Sequence, residues 1–276
     1  MRKKIIITVV TAAFALSSVL VGGAAQATSH VKQTELNLVS PGKLTVGMTL
    51  QFKPQMYLND SGRPAGYDVQ LVKKLARTLG LKLVIVNMDF GGLIPGLMAK
   101  KFDMLSVGLT NRPPRELSMT FTREYMPYTT ILSAQIGQKI GSTIADWNKP
   151  GIKITALQGS TAATLVTRTF PNATLVAFPD QSAAFLEVAS GRADGSVVEA
   201  NLSGQYMKSN PRQLANVKLP TPIQVGYGSW AVQLGNLALR DNLNSFLCAN
   251  IASGDLATIF KRQMGYSLAP LPPCVK

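Results

Sequence analysis

Residues 67–86 read YDVQLVKKLARTLGLKLVIV. Apolar side chains at Val69, Leu71, Val72, Leu75, Ala76 and Leu79 recur at the spacing of one helix face, and Gly80 punctuates the run. Residues 81–86 follow as an apolar-rich stretch of strand length. The segment therefore predicts a helix that feeds a strand. Upstream, residues 44–49 (LTVGMT) predict a short buried strand, and Asp60-Ser61-Gly62 a turn. Downstream, a second helix is expected over 91–100 and a third strand over 104–108. Strands alternating with helices imply an α/β unit with a mainly parallel sheet.

The same alternation restarts near residue 152. Strands are expected over 152–157, 174–178 and 195–198, with helices from 161 to 169 and over 181–190. A further strand over 229–234 and helices over about 237–251 and 255–264 complete the chain. Two similar α/β halves in one chain predict two lobes, and the cleft between lobes is the default place for a small-molecule site.

The first 27 residues read as an export signal rather than as part of the fold. Arg2, Lys3 and Lys4 precede an uncharged apolar stretch over 5–22, and Ala25-Gln26-Ala27 supplies the small residues of a cleavage site, so the mature chain is expected to start at Thr28. The apolar run is long enough that an uncleaved anchor is the alternative. No Cys follows it, which argues against a lipoprotein.

The chain carries Lys+Arg 28 against Asp+Glu 14, a formal charge of +14. Basic residues such as Lys73, Lys74, Arg77, Lys82, Lys100 and Lys101 are scattered, with no dense run. Export and scatter together argue against a nucleic-acid partner and for a solvated basic surface. The one histidine, His30, lies beside the cleavage site, and there are two cysteines, Cys248 and Cys274. That inventory leaves little for histidine catalysis or a zinc site, and no cofactor is implied. In an oxidising compartment the cysteines are expected to pair, tying the Pro-rich tail to a preceding helix; two free thiols are the alternative.

The motif order resembles the family 3 extracellular solute-binding proteins, the polar amino-acid binders of ABC importers. The resemblance rests on Leu44-Thr45-Val46-Gly47, Gly66-Tyr67-Asp68-Val69, Leu93-Ile94-Pro95-Gly96-Leu97 with Lys101-Phe102-Asp103, residues 110–115, and Phe121-Thr122-Arg123-Glu124-Tyr125. It continues through Gln158-Gly159-Ser160-Thr161, Gly191-Arg192-Ala193-Asp194, Gly254-Asp255-Leu256 and Phe260-Lys261-Arg262-Gln263-Met264-Gly265. Each tag alone is weak; their order and spacing carry the resemblance over about 43–266. It implies a two-lobed periplasmic-binding-protein fold with a discontinuous first lobe (28–130 and 229–276), a second lobe (131–228) and two crossover segments near 127–135 and 223–232 acting as a hinge. It also implies a periplasmic monomer that binds a small zwitterionic or anionic ligand and meets a membrane permease.

The resemblance assigns ligand-binding roles. A free α-amino acid brings a carboxylate and an ammonium, and both must be paired when buried. Arg115 is expected to hold the carboxylate through its planar fork, five residues after the hydroxyl contact Thr110. Ser160 and Thr161 open a helix after Gly159, where free N–H groups favour an anion; by themselves they read as a plain helix cap. Glu199, where the family usually has Asp, is expected to take the ammonium, aided by the carbonyl of Gly108. Phe52 and Phe90 are expected to wall the ligand on two sides. Thr49 replaces an acid frequent in the family, and Arg112 replaces a Thr. Both departures count against a Lys- or Arg-type ligand and leave neutral polar, acidic and aromatic side chains open.

Two rivals share the scaffold. Cyclohexadienyl dehydratases resemble this family and use a cleft acid, but the position about three residues beyond Glu199 is Leu202 here. A sensory protein would use an unchanged clamp.

Overall fold

A computed structural model describes residues 33–274. The signal segment, the cleavage site and His30 lie outside the described residues. A 3-10 turn at Gln33–Leu36 leads into β1 (Lys43–Met48), followed by β2 (Gln51–Phe52), β3 (Met56–Leu58) and β4 (Pro64–Ala65). The chain continues through α1 (Tyr67–Thr78), β5 (Lys82–Asn87), α2 (Phe90–Met98), β6 (Met104–Leu109), α3 (Pro113–Glu116) and the long β7 (Met119–Gln135). Then come α4 (Ile144–Trp147), β8 (Lys153–Leu157), α5 (Thr161–Thr169), β9 (Thr174–Phe178), α6 (Gln181–Ala189), β10 (Gly195–Glu199), α7 (Ala200–Ser209) and β11 (Leu214–Asn216). β12 (Gln224–Gln233), α8 (Leu237–Ala252) and α9 (Asp255–Met264) complete it.

The fold is α/β, as its periodicity predicts, and α1 follows the expected helix face: Val69, Leu71, Val72, Leu75 and Ala76 are all buried. The sheet is mixed rather than mainly parallel. Its order is β5-β1-β6-β12-β7-β10-β8-β9, with β11 beside β7 and β2-β3-β4 forming a small separate sheet. β5, β1 and β6 are parallel, as are β10, β8 and β9. Every antiparallel contact of the large sheet involves β7 or β12. Those two strands pair with each other from Gln224↔Thr130 to Gln233↔Met119.

This ribbon joins the two halves. β6 attaches to β12 over 229–232, while β10 attaches to β7 over 130–134. Between them the ribbon has neighbours on neither outer side. Pro127 falls in that stretch, opposite Tyr227, and within sheets proline is confined to positions where its missing N–H faces no partner strand. The ribbon register slips between Gly228 and Ser229 and again before Ala231. Bulges of this kind bend and twist a strand locally.

The larger apolar core packs α1, α2, α8 and α9 against β1 and β6, and includes the fully buried Trp230, Tyr67 and Phe260. It also reaches Leu157, Phe185, Val198 and Leu202 across the halves. A second core centres on Trp147, Phe170, Leu132 and Val197. Cys248 of α8 and Cys274 of the tail are joined by a disulfide. Among the described residues no helix is long and apolar enough to cross a membrane.

Candidate functional cleft

In open α/β sheets ligands sit beyond the carboxyl ends of the strands. Each site residue predicted from sequence falls there. Phe52 follows β1, Phe90 opens α2 after β5, and Gly108 and Thr110 end β6. Ser160 and Thr161 follow β8, Glu199 is the last residue of β10, and Arg115 lies in α3. All eight line one cleft with about 530 Å³ of empty space counted out to its mouth.

The two halves touch across this cleft. Arg115 Nη2 donates to the Gly159 carbonyl (3.2 Å), and its Nη1 donates to the Thr110 carbonyl (3.2 Å) and Thr161 Oγ1 (3.5 Å). Thr161 Oγ1 donates to Thr110 Oγ1 at 3.1 Å, and Thr110 Oγ1 also meets the Tyr128 hydroxyl. Outside the cavity lining, Arg112 Nη1 donates to Thr164 Oγ1 (2.8 Å), and the Gln181 N–H donates to Gln51 Oε1 (3.0 Å). Ser160 caps α5, its Oγ accepting from the Ala163 N–H at 3.1 Å, so its hydroxyl proton remains to be given elsewhere.

The electrostatics set one guanidinium against one carboxyl group. Arg115 is only 4% exposed. Burial, and then the charge of Arg112, draws its pKa down to about 10, opposed by Tyr128 and Glu199. It therefore stays a cation at neutral pH, in a place where a cation lacks solvation. Burial raises the pKa of Glu199, while its own backbone N–H and Arg115 act in the other direction. Among the described residues the buried Arg115 Nε and Asn201 Nδ2 have no hydrogen-bond partner. Phe52 and Phe90 meet with ring centroids 6.4 Å apart at 50°, a tilted pair rather than parallel plates.

Sequence reasoning missed Gln55, Met126, Tyr128 and Asn201, which also line the cleft. None lies in a recognisable motif. Gln55 is held by Asp68 of α1, the acid of the Gly66-Tyr67-Asp68-Val69 tag: Gln55 Nε2 donates to Asp68 Oδ2 at 2.7 Å. Asp68 Oδ1 accepts from the Tyr125 hydroxyl (2.5 Å) and from Ser106 Oγ (3.2 Å). The Tyr125 hydroxyl in turn accepts the Gly108 N–H at 3.0 Å. Gly108 has φ +63°, and an added Cβ on Gly228 would lie 2.6 Å from the Gly108 Cα. A glycine at each position lets the ribbon backbone press directly on the cleft floor.

Asp68 is fully buried, and burial raises its pKa from 3.8 to about 6, against the opposing bonds from Tyr125, Gln55 and Ser106. The folded state thus binds this proton more tightly than the unfolded chain. Stability linked to Asp68 is greatest below about pH 4, falls as pH rises toward 6, and is then lost, on the order of 3 kcal/mol in all. Urea unfolding between pH 4 and 7 should show a shallower decline for Asp68→Asn than for wild type. Equal slopes would refute the assignment.

The profile of the bacterial extracellular solute-binding proteins, family 3, matches residues 44–266. ABC transporter arginine-binding protein 1 of Escherichia coli (strain K12) is 27% identical over 214 residues, 77% of this chain and 86% of that protein. The cyclohexadienyl dehydratase of Pseudomonas aeruginosa is 25% identical over 181 residues, 64% of this chain and 66% of the enzyme. The solved structure of an ancestral arginine-binding protein bound to glutamine superposes with a TM-score of 0.75 at 28% identity, covering 82% of this chain and 100% of that one.

Proposed function

The chain belongs to the bacterial extracellular solute-binding proteins of family 3, and from that premise we propose that its cleft captures a small amino-acid-like solute and presents it to the permease of an ABC importer. The observation that carries this reading is the meeting of Arg115 and Glu199 in one cleft, each on a different side of it. A free amino acid carries the two complementary charges. Arg115, with Thr110, Ser160 and Thr161, takes the carboxylate; Glu199, with the Gly108 carbonyl, takes the ammonium. Phe52 and Phe90 exclude water from the rest.

The lobes of this clamp are residues 28–130 with 229–276, and residues 131–228; the ribbon of β7 and β12 is the hinge. A ligand that touches both sides favours the closed arrangement. The protein acts as a monomer, exported by cleavage after Ala27, which the intact mass of the secreted chain reads directly. Binding rather than chemistry is supported at position 202, where the likeness to dehydratases calls for an acid and this chain has a buried leucine.

The test is a thermal-shift screen of the mature chain against the common amino acids and related acids. A true ligand at 100 times its Kd should stabilise by about 2.7 kcal/mol. A panel in which nothing shifts the transition would overturn the proposal.

A further inference from the structure

We infer that the ligand is an α-amino acid with an uncharged side chain. This rests on reading the cleft as an amino-acid site and follows from its charge inventory. The side chains lining the cleft include one cation, Arg115, and one carboxylate, Glu199. A zwitterionic head group uses both. Among the described residues of the lining, a charged side chain entering the same space meets no second counter-charge, and an unpaired buried charge is strongly disfavoured.

The nearest additional charge sharpens this. Arg112 stands outside the lining and acts on both Arg115 and Tyr128. It is bound to Thr164, in the first turn of α5. That places its charge at the end of the cleft where Arg115 and Thr161 already await a carboxylate. There it repels a cationic ligand without serving the side-chain end. What remains for the side chain is apolar surface from Met126 and Leu202 and the two neutral amides of Gln55 and Asn201. Gln55 gives one N–H to Asp68 and keeps a second beside Gly108, and Asn201 has a buried amide N–H free to donate. Amide chemistry of this kind pairs with an uncharged polar group.

Calorimetric titration of the mature chain at pH 7 with neutral, cationic and acidic amino acids decides the matter. At least one neutral amino acid should bind about 30-fold or more tighter than arginine, lysine, aspartate and glutamate. Asn201→Asp keeps the shape and adds a second carboxylate. In that variant the preference for the neutral ligand over lysine and arginine should shrink by at least tenfold. If arginine or lysine binds wild type as tightly as any neutral amino acid, or an acidic one binds tighter, the inference is overturned while the amino-acid reading stands. If no amino acid of any charge binds, the amino-acid reading itself fails, and the inference with it.

Discussion

Calorimetric titration of Arg115→Ala will show ligand affinity lowered by about 30-fold to several thousand-fold, the equivalent of roughly 2–5 kcal/mol. The size of the effect comes from burial. Among the described residues Arg115 is the sole cation lining the cleft, at 4% exposure, so its loss would leave a ligand carboxylate desolvated and unpaired. The cation is itself held uneasily, with burial and Arg112 both pulling its pKa down, so an incoming anion relieves an existing penalty. Arg115→Lys should also bind poorly, because an ammonium cannot reproduce the planar fork that now spans Gly159 and Thr110. Glu199→Gln preserves shape and removes charge, and separates electrostatics from packing at the other end. Wild-type affinity in a folded Arg115→Ala protein would show that the carboxylate is held elsewhere.

The second large effect concerns the tail. After α9 the chain runs without regular structure to Cys274, and its hold on the body comes from a few contacts. Leu268 and Leu271 pack against the larger core, and the Tyr266 ring meets Phe260 edge-on at 5.1 Å. Arg123 of β7 donates to the Pro272 carbonyl and to both sulfurs of the disulfide. The cross-link between Cys248 and Cys274 spans 26 positions, for which the chain-entropy relation gives about 3.5 kcal/mol. Replacing both cysteines with alanine should lower Tm by about 10 °C. A double variant that melts with wild type would mean that the apolar contacts of the tail suffice alone.

Much of the fold was legible because its helices and parallel strands carry clean periodicity. α1 and β5 lie within a residue of their expected positions, and the second α/β run is placed almost as well. The ribbon was the main omission. β7 does not alternate strictly between buried and open positions along its 17 residues, and it contains Pro127. Its two ends have different neighbours, so no single face pattern runs through it. The first half of β12 hides for a related reason: Gly226 and Gly228 replace the β-branched residues that mark a strand. α7 is short, polar and interrupted by Gly204, and β2, β3 and β4 are too brief for any period to show. In the cleft, the eight expected residues come from motif order. Gln55, Tyr128 and Asn201 join them only through tertiary neighbours, which no local pattern encodes.

The slipped register of the ribbon has a consequence for the timing of capture and release. In the clamp proposed above, rotation would move each atom in proportion to its distance from the axis, and an axis at Gly228–Ala231 would run beside Gly108. β6, which carries Gly108, is the strand next to β12, whereas Gln51 follows β1, one strand further out, and Gln181 follows β9, the third strand from β7. At roughly 4.8 Å per strand, the contact between Gln51 and Gln181 lies at the end of a long lever arm. On that reading the floor of the cleft would stay nearly still while this rim swept widest. Which molecule fits would then be decided by atoms that scarcely move, and how long it stays by atoms that travel furthest. Residence time and selectivity would thereby be open to separate adjustment.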